Sequence, residues 1–233
     1  MRILIIIPTY NEDKNIVNLI KQIQLKYKKY NIIIVDDSSN LLTKNLVNKN
    51  NFKNLEYVKR EMKLGRGNAV RFGFNYAVKN LYDYVLEMDS DMSHNPNEIE
   101  QLVNKIINNN LDLVIGSRYL KESKILGWPI KRRIFSIFAN LLARILFSYK
   151  ITDYTNGFRI YSIKTVNELL KYEIKNNGFI YLTETLAILQ KKKFTISEIP
   201  TVFNNRKLGN SSLKLTEIIN SFAGVFLIKF RKI

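Results

Sequence analysis

Tyr84-Val85-Leu86-Glu87-Met88-Asp89-Ser90-Asp91-Met92 decides how this chain is read. An apolar run breaks off into three acids within five residues, in a chain that carries 37 Lys and Arg against 20 Asp and Glu. Residues two apart on a strand point to the same side, so Asp89 and Asp91 at a strand end can both face one divalent cation. Such a cation most naturally holds a diphosphate. A solvated acidic turn after a strand is the plain alternative, and the surrounding pattern decides between the two.

Outward from that stretch, the first hundred residues alternate β-branched runs with longer helical patterns, the signature of β-α-β units around a parallel sheet. Ile3 to Ile7 predicts a first strand, followed by a helix from about Asp13 to Tyr27 with Ile16, Leu19, Ile20 and Ile23 on one face. Ile32 to Val35, Leu55 to Val58, Tyr84 to Met88 and Leu111 to Ile115 predict four more strands, and Gly65 to Val78 a helix with its entry loop. The strand ends after residues 7, 35 and 88 then deliver acids to one edge of one sheet, where ligands bind in open α/β folds.

Beyond residue 120 the pattern changes. Gly127-Trp128-Pro129 and Lys131-Arg132-Arg133 precede an amphipathic segment, Ile134 to Phe147, which reads either as a core helix or as one lying in a membrane interface. Asp153 to Arg159 is a polar turn leading into Ile160-Tyr161, and Phe179 to Leu189 a helix. Ile199 to Phe203 is expected at a sheet edge, since Pro200 cannot serve a central strand. A basic loop, Asn204 to Ser212, and a second amphipathic helix, Leu215 to Phe230, complete the chain.

With 233 residues, 46% apolar and 24% charged, the composition is that of an ordinary folded domain. The net charge of +17 predicts an anionic partner: nucleic acid, a phosphorylated small molecule or an acidic membrane surface. Nucleic acid is disfavoured, because acids gather at the strand ends a phosphate backbone would approach. The absence of Cys excludes disulfides, zinc-thiolate sites and cysteine nucleophiles, and suits a reducing compartment. The apolar run after Arg2 is too short for a signal sequence, and no apolar stretch is long enough to span a bilayer. The one histidine, His94, is expected to be structural or solvated, without catalytic partners.

Taken in order, Pro8-Thr9-Tyr10-Asn11-Glu12, Val35-Asp36-Asp37-Ser38, Met88-Asp89-Ser90-Asp91, Gly116-Ser117-Arg118-Tyr119, Thr155-Asn156-Gly157-Phe158-Arg159 and the Arg206 loop resemble the inverting family 2 glycosyltransferases. Within these the chain is most similar to the dolichol-phosphate (polyprenol-phosphate) mannose synthases. The resemblance implies a GT-A-type α/β domain over residues 1–214, with a nucleotide-binding half to about 119 and an acceptor-binding half after it, and an amphipathic basic helix at 215–233. It implies that Pro8, Tyr10, Glu12, Val35 and Asp37 line the base and ribose of a nucleotide sugar, with Ser90 beside them. Asp89 and Asp91 match the pair that holds Mg²⁺ or Mn²⁺, and Arg118, Arg133 and Arg206 match basic positions for donor and acceptor phosphates. Asp91, Arg118 and Arg206 are the catalytic candidates. The implied reaction is mannose transfer from GDP-mannose to a polyprenyl phosphate, with a UDP-sugar donor as the rival. The implied location is the cytoplasmic face of an anionic membrane, with a separate membrane-anchoring subunit left open. Where the family usually has Lys after the glycine of the R-x-x-G loop, this chain has Ser211-Ser212, leaving Lys207 or Lys214 as substitutes.

Overall fold

The computed structural model describes residues 1–174, 180–205 and 224–230. Nine strands run in chain order: β1 (Ile3–Thr9), β2 (Asn31–Asp36), β3 (Leu55–Lys59), β4 (Tyr84–Glu87), β5 (Leu113–Ser117), β6 (Lys124–Leu126), β7 (Arg159–Ser162), β8 (Ile196–Pro200) and β9 (Val202–Asn204). Among them lie α1 (Ile16–Lys26), α2 (Leu42–Lys49), α3 (Arg66–Lys79), α4 (Ile99–Asn108), α5 (Ile130–Leu146), α6 (Ile163–Leu170) and α7 (Ile180–Lys191). Of the helix expected over Leu215 to Phe230, only 224–230 is described, and it is helical.

Seven strands form one sheet in the order β3-β2-β1-β4-β7-β5-β8, while β6 and β9 pair separately. All neighbours in the large sheet are parallel except β7, which runs antiparallel between β4 and β5. Why β1 is an unbroken apolar run follows from its place: both faces are covered. Ile3, Ile5 and Ile7 pack with Ile16, Leu19 and Ile20 of α1 and Leu102 and Ile106 of α4. Leu4 and Ile6 belong to the opposite core, with Val70 and Phe74 of α3, Leu169 of α6 and Leu182 of α7. The result is a mostly parallel sheet between two helical layers, as expected.

Three local expectations shift. The first helix begins at Ile16, because the Glu12 carbonyl first accepts the amides of Asn15 and Ile16 in a turn. The strand expected over Ile199 to Phe203 is two strands: β8 closes the edge of the large sheet at Pro200, and Val202–Asn204 leaves it to pair with β6. Buried Glu98 explains the break, since its carboxylate accepts the Thr201 hydroxyl and the Val202 amide (3.0 Å) that would otherwise continue the ladder. Last, α5 meets the core only along one strip, through Ala143 and the partly buried Leu142 and Leu146. Only Asn140 and Ala143 are buried in it, whereas Ile134, Phe135, Ile137, Phe138, Leu141 and Ile145 are exposed.

The tightest approach between sheet and helix lies at Gly73 of α3, where a Cβ would sit 2.5 Å from Ile6 Cδ1 and within 2.8 Å of two further Ile6 carbons. Ile6 is fully buried in the middle of β1 and has nowhere to move. Gly73→Ala is therefore expected to destabilise the fold by about 1–3 kcal/mol through overpacking. Urea titration checks this, and an unchanged midpoint would contradict the packing described.

Candidate active site

The carboxyl ends of β1, β2 and β4 are neighbours, and each leads into a polar turn. At the end of β1, Pro8 is buried, and Tyr10 just beyond the strand is exposed, with the Lys63 ammonium 4.0 Å above its ring. Asn11 adopts the left-handed conformation (φ 55°) and donates its amide to Ser38 Oγ at 2.7 Å, tying the first turn to the second. Glu12 accepts from Asn15 Nδ2 at 2.9 Å. Near the end of β2, the Val35 side chain lies wholly in the core, so only its backbone can face a ligand. Asp37 is clamped by Arg60 through Nε (2.5 Å) and Nη2 (2.7 Å), and also accepts the amides of Leu64 and Gly65. That set of bonds folds the 60–65 loop over the sheet edge. Gly65 at φ 86° makes the turn into α3, a conformation that a side chain would strain.

At the end of β4, Glu87 is completely buried and accepts from Arg66 Nη1, from the Tyr181 hydroxyl and from the Tyr161 hydroxyl (3.2 Å). Burial together with the Glu87 charge pushes both phenols up from their ordinary range. Arg66 also grips Asp89 Oδ1 with Nε (3.0 Å) and Nη2 (2.7 Å). Burial would discharge this guanidinium, but Glu87 and Asp89 outweigh it and hold its proton more firmly than usual. A Cβ on Gly157 would lie 2.0 Å from Arg66 Nη2, so the glycine of the Thr155-Asn156-Gly157 turn leaves space for Arg66. Ser90 and Asp91 are buried, and Asp91 Oδ1 accepts the Ser93 amide at 3.0 Å across the left-handed Met92.

Of the two expectations for His94, structural or solvated, the structure shows the first, and it gives the ring partners that the sequence did not reveal. It is fully buried, its Nδ1 accepts the Asp89 amide at 3.0 Å, and its Nε2 lies 2.9 Å from Asn156 Oδ1. Asp89 and Asp91 thus share one turn, each with an oxygen held in place, and offer the hard oxygens that Mg²⁺ or Mn²⁺ take. No group of three or more His, Cys, Asp and Glu gathers at a metal position among the described residues. The pair therefore suits an ion whose remaining ligands are phosphate oxygens and water.

On the other side of the site, Arg118 follows β5 and forms a two-pronged bond with Asp153, Nε at 2.7 Å and Nη2 at 2.8 Å, with Nη2 also on Thr155 Oγ1. Burial alone would raise the Asp153 carboxyl, but the charge and hydrogen bonds of Arg118 and the amides of Arg118 and Thr155 hold it below the usual range. The Arg118 guanidinium packs 5.3 Å from the Trp128 ring and 5.4 Å from Phe203. Arg132 lies over the other side of this wall, 4.3 Å from Trp128. Arg133, the basic residue expected here, is exposed, and the structure brings its neighbour Arg132 to the wall instead. A sequence signal existed: Trp128 sits just before the Pro129 cap of α5, one helical turn ahead of Arg132. Trp128 Nε1 is buried without a hydrogen-bond partner among the described residues, which leaves a donor beside two guanidinium groups. Arg206, with Lys207 and Lys214, lies outside the described residues. Missed by sequence reasoning were Arg60 and Asp153, whose partners are distant in the chain, and Arg132, whose partner Trp128 is only four residues away.

Residues 4–170 match the family model described as Glycosyl transferase family 2. The chain is 30% identical over 220 residues to the polyprenol monophosphomannose synthase of Mycolicibacterium smegmatis, covering 93% of this chain and 83% of that protein. It is 33% identical over 218 residues to the undecaprenyl-phosphate mannosyltransferase of Micrococcus luteus, covering 91% and 88%. Among solved structures it is similar to glucosyl-3-phosphoglycerate synthase of Mycobacterium tuberculosis, crystallised with Mn²⁺, UDP and product, at TM-score 0.69 and 18% identity, over 97% of this chain and 78% of that one. That likeness establishes a GT-A-type fold.

The Arg118–Asp153 pair gives a pH prediction. A carboxyl held below its unfolded value contributes stability above the unfolded pKa and loses it as pH falls through the folded one. Asp153→Asn should cost about 3–5 kcal/mol at neutral pH, because it leaves a buried guanidinium without its counter-charge. It should also flatten the decline in stability on acidification below about pH 4. Denaturant titrations at pH 7 and in that acid window check both, and equal acid slopes in parent and variant would exclude this pair as a source of acid sensitivity.

Proposed function

The chain belongs to glycosyl transferase family 2 and is a glycosyltransferase; on that premise, we propose that it transfers mannose with inversion from GDP-mannose to a polyprenyl phosphate. The observation that carries this reading is the meeting of an acidic pair with a basic, aromatic wall at one sheet edge. The two are joined through His94, which accepts the Asp89 amide and lies 2.9 Å from Asn156, whose own amide donates to the Asp153 carboxylate that holds Arg118. The names of the two relatives support a polyprenyl phosphate as acceptor and mannose as the sugar.

In this reading the turns bearing Pro8, Tyr10, Glu12, Val35 and Asp37 hold the nucleoside, with Ser90 nearby, and Asp89 and Asp91 would hold Mg²⁺ or Mn²⁺ against the diphosphate. When bound, the ion neutralises the diphosphate as it departs. Arg118, Arg132 and the Trp128 N–H grip the acceptor phosphate, and Arg206 is a further cation for the same charges. A phosphomonoester with a second pKa near about 6 is already largely dianionic at neutral pH. It needs no general base: its oxygen bonds to the sugar carbon as the bond to the nucleoside diphosphate breaks on the opposite face. The protein's contribution is position and charge.

Thermal shift with GDP and with UDP, each with and without Mn²⁺, tests the donor assignment. GDP with Mn²⁺ at 100 times its dissociation constant should add about 2.7 kcal/mol of stability. Asp91→Asn should remove that gain and abolish mannose transfer while the ligand-free melting point stays near the parent's. A gain with UDP alone would move the donor to a UDP-sugar, and a metal-independent gain would overturn the role given to Asp89 and Asp91.

The acceptor's tail stays in the bilayer, so we place the enzyme at the cytoplasmic membrane face. No described helix is long and apolar enough to cross a membrane. Exposed apolar residues line α5 and also 224–230, where Phe226, Leu227 and Phe230 are exposed and Lys229 reaches within 5.9 Å of the Phe147 ring at the end of α5. Lys131, Arg133 and Arg144 accompany α5, and each such cation near an anionic surface contributes about 1 kcal/mol, screened by salt. Binding to anionic vesicles should weaken with rising salt, and weaken again when Phe135, Phe138 and Leu141 are changed to Ser. Co-sedimentation reads both effects. No pelleting at low salt with anionic or polyprenyl-phosphate vesicles would detach the enzyme from the membrane.

A further inference from the structure

His94 takes no part in the chemistry proposed above, yet it is wholly buried between the Asp89 turn, the Asn156 turn and Phe203 of β9. Its hydrogen bonds have a definite direction. The Asp89 amide can only donate, so Nδ1 carries a lone pair and the ring proton sits on Nε2, where it donates to Asn156 Oδ1. Asn156 is oriented by its own Nδ2, which donates to the Gly116 carbonyl, and its backbone amide donates to Asp153 Oδ1 at 3.0 Å. Asp153 in turn holds Arg118. An unbroken series of bonds therefore runs from the backbone of Asp89 through the imidazole to the guanidinium on the other side of the site.

Packing follows the same route. The imidazole stacks on Phe158 with centroids 5.0 Å apart and meets Phe203 edge-on at 5.4 Å, and Phe203 meets Trp128 edge-on at 5.2 Å. An isolated bridge between His94 and Phe203, and the Asn204 amide on the Ser93 carbonyl at 3.0 Å, fasten the backbones. We propose that His94 is a positioning residue that sets the distance between the diphosphate-holding turn and the acceptor-phosphate wall, its Nδ1 fixing Asp89 and its Nε2 fixing the Asn156–Asp153–Arg118 arm. The inference rests on the function proposed for Asp89 and Arg118.

Two substitutions separate the arms. His94→Asn places an amide oxygen near the Nδ1 position and keeps an acceptor for the Asp89 amide. His94→Gln reaches the Nε2 position, keeps the bond to Asn156 and leaves the Asp89 amide unpaired. Both lose the aromatic stack, so a purely structural role predicts similar melting points and similar kinetics. The positioning role predicts a split: Mn²⁺-dependent GDP affinity, read by calorimetry, falls about tenfold in His94→Gln, the scale for a buried donor left unmet. In His94→Asn it should stay within about threefold of the parent, while the KM for polyprenyl phosphate rises at least as far. Equal GDP affinities in the two variants, or the reverse order, overturn the inference.

A measurement on the unaltered protein guards against variants that do not fold. With one histidine in the chain, ¹⁵N labelling gives one pair of ring resonances. These should show protonated Nε2 and unprotonated Nδ1, with Nδ1 moving when Mg²⁺ and GDP are added. The opposite tautomer, or an Nδ1 signal that ignores Mg²⁺ and GDP, would reject it. Metal-independent GDP binding by the parent would bring down the proposed function and this inference together. Metal-dependent binding with equal variants removes only the inference.

Discussion

A carboxylate taken out of water destabilises a fold unless a cation and hydrogen bonds go with it. The functional edge of this protein meets that condition repeatedly among the described residues, with Arg60 on Asp37, Arg66 on Glu87 and Asp89, and Arg118 on Asp153. Each arginine comes from a different segment than its acid, so each pair also fastens one loop to another. The strand ends could not otherwise keep so many acids near one another before any substrate cation arrives. Stability and site geometry are here the same set of bonds, and a change to any of these arginines will disturb both.

Much of this was legible from residues close together in the chain. The apolar runs of β1, β2 and β4 and the acids that follow them report a parallel sheet with a ligand edge, because burial on both faces and a strand end are local properties. The Asp89 and Asp91 pair was readable for the same reason. Not readable were the partners: Arg60 lies 23 residues from Asp37 and Arg118 35 from Asp153. The α4 pattern of Ile99, Leu102, Val103 and Ile106 was plain in the sequence and went unused. By contrast, β7 is four residues long, and nothing local says that it runs against its neighbours. Arg132 and Arg133 were indistinguishable until the helix start at Pro129 fixed which one faces Trp128.

The two ambiguous amphipathic segments show where pattern alone stops. Periodicity reports that a helix has an apolar side, not what covers it. In α5 the apolar residues divide: Ala143, Leu142 and Leu146 pack on the core, whereas Ile134, Phe138, Leu141 and Ile145 are exposed. Asn140 meanwhile holds the turn before β7 by accepting the Tyr154 amide at 2.7 Å.

The placement of β7 has a consequence for how the molecule is made. It is the hydrogen-bonding partner of both β4 and β5, so those two strands, adjacent in chain order within the sheet, have no direct contact in the ladder. A growing chain that has emerged only as far as β5 exposes one raw edge on β4 and both edges of β5, whose partners β7 and β8 come later. Until Arg159–Ser162 arrives, such an edge invites pairing with another chain. Asp89 and Asp91 are synthesised by then, but the sheet is not yet continuous between β4 and β5.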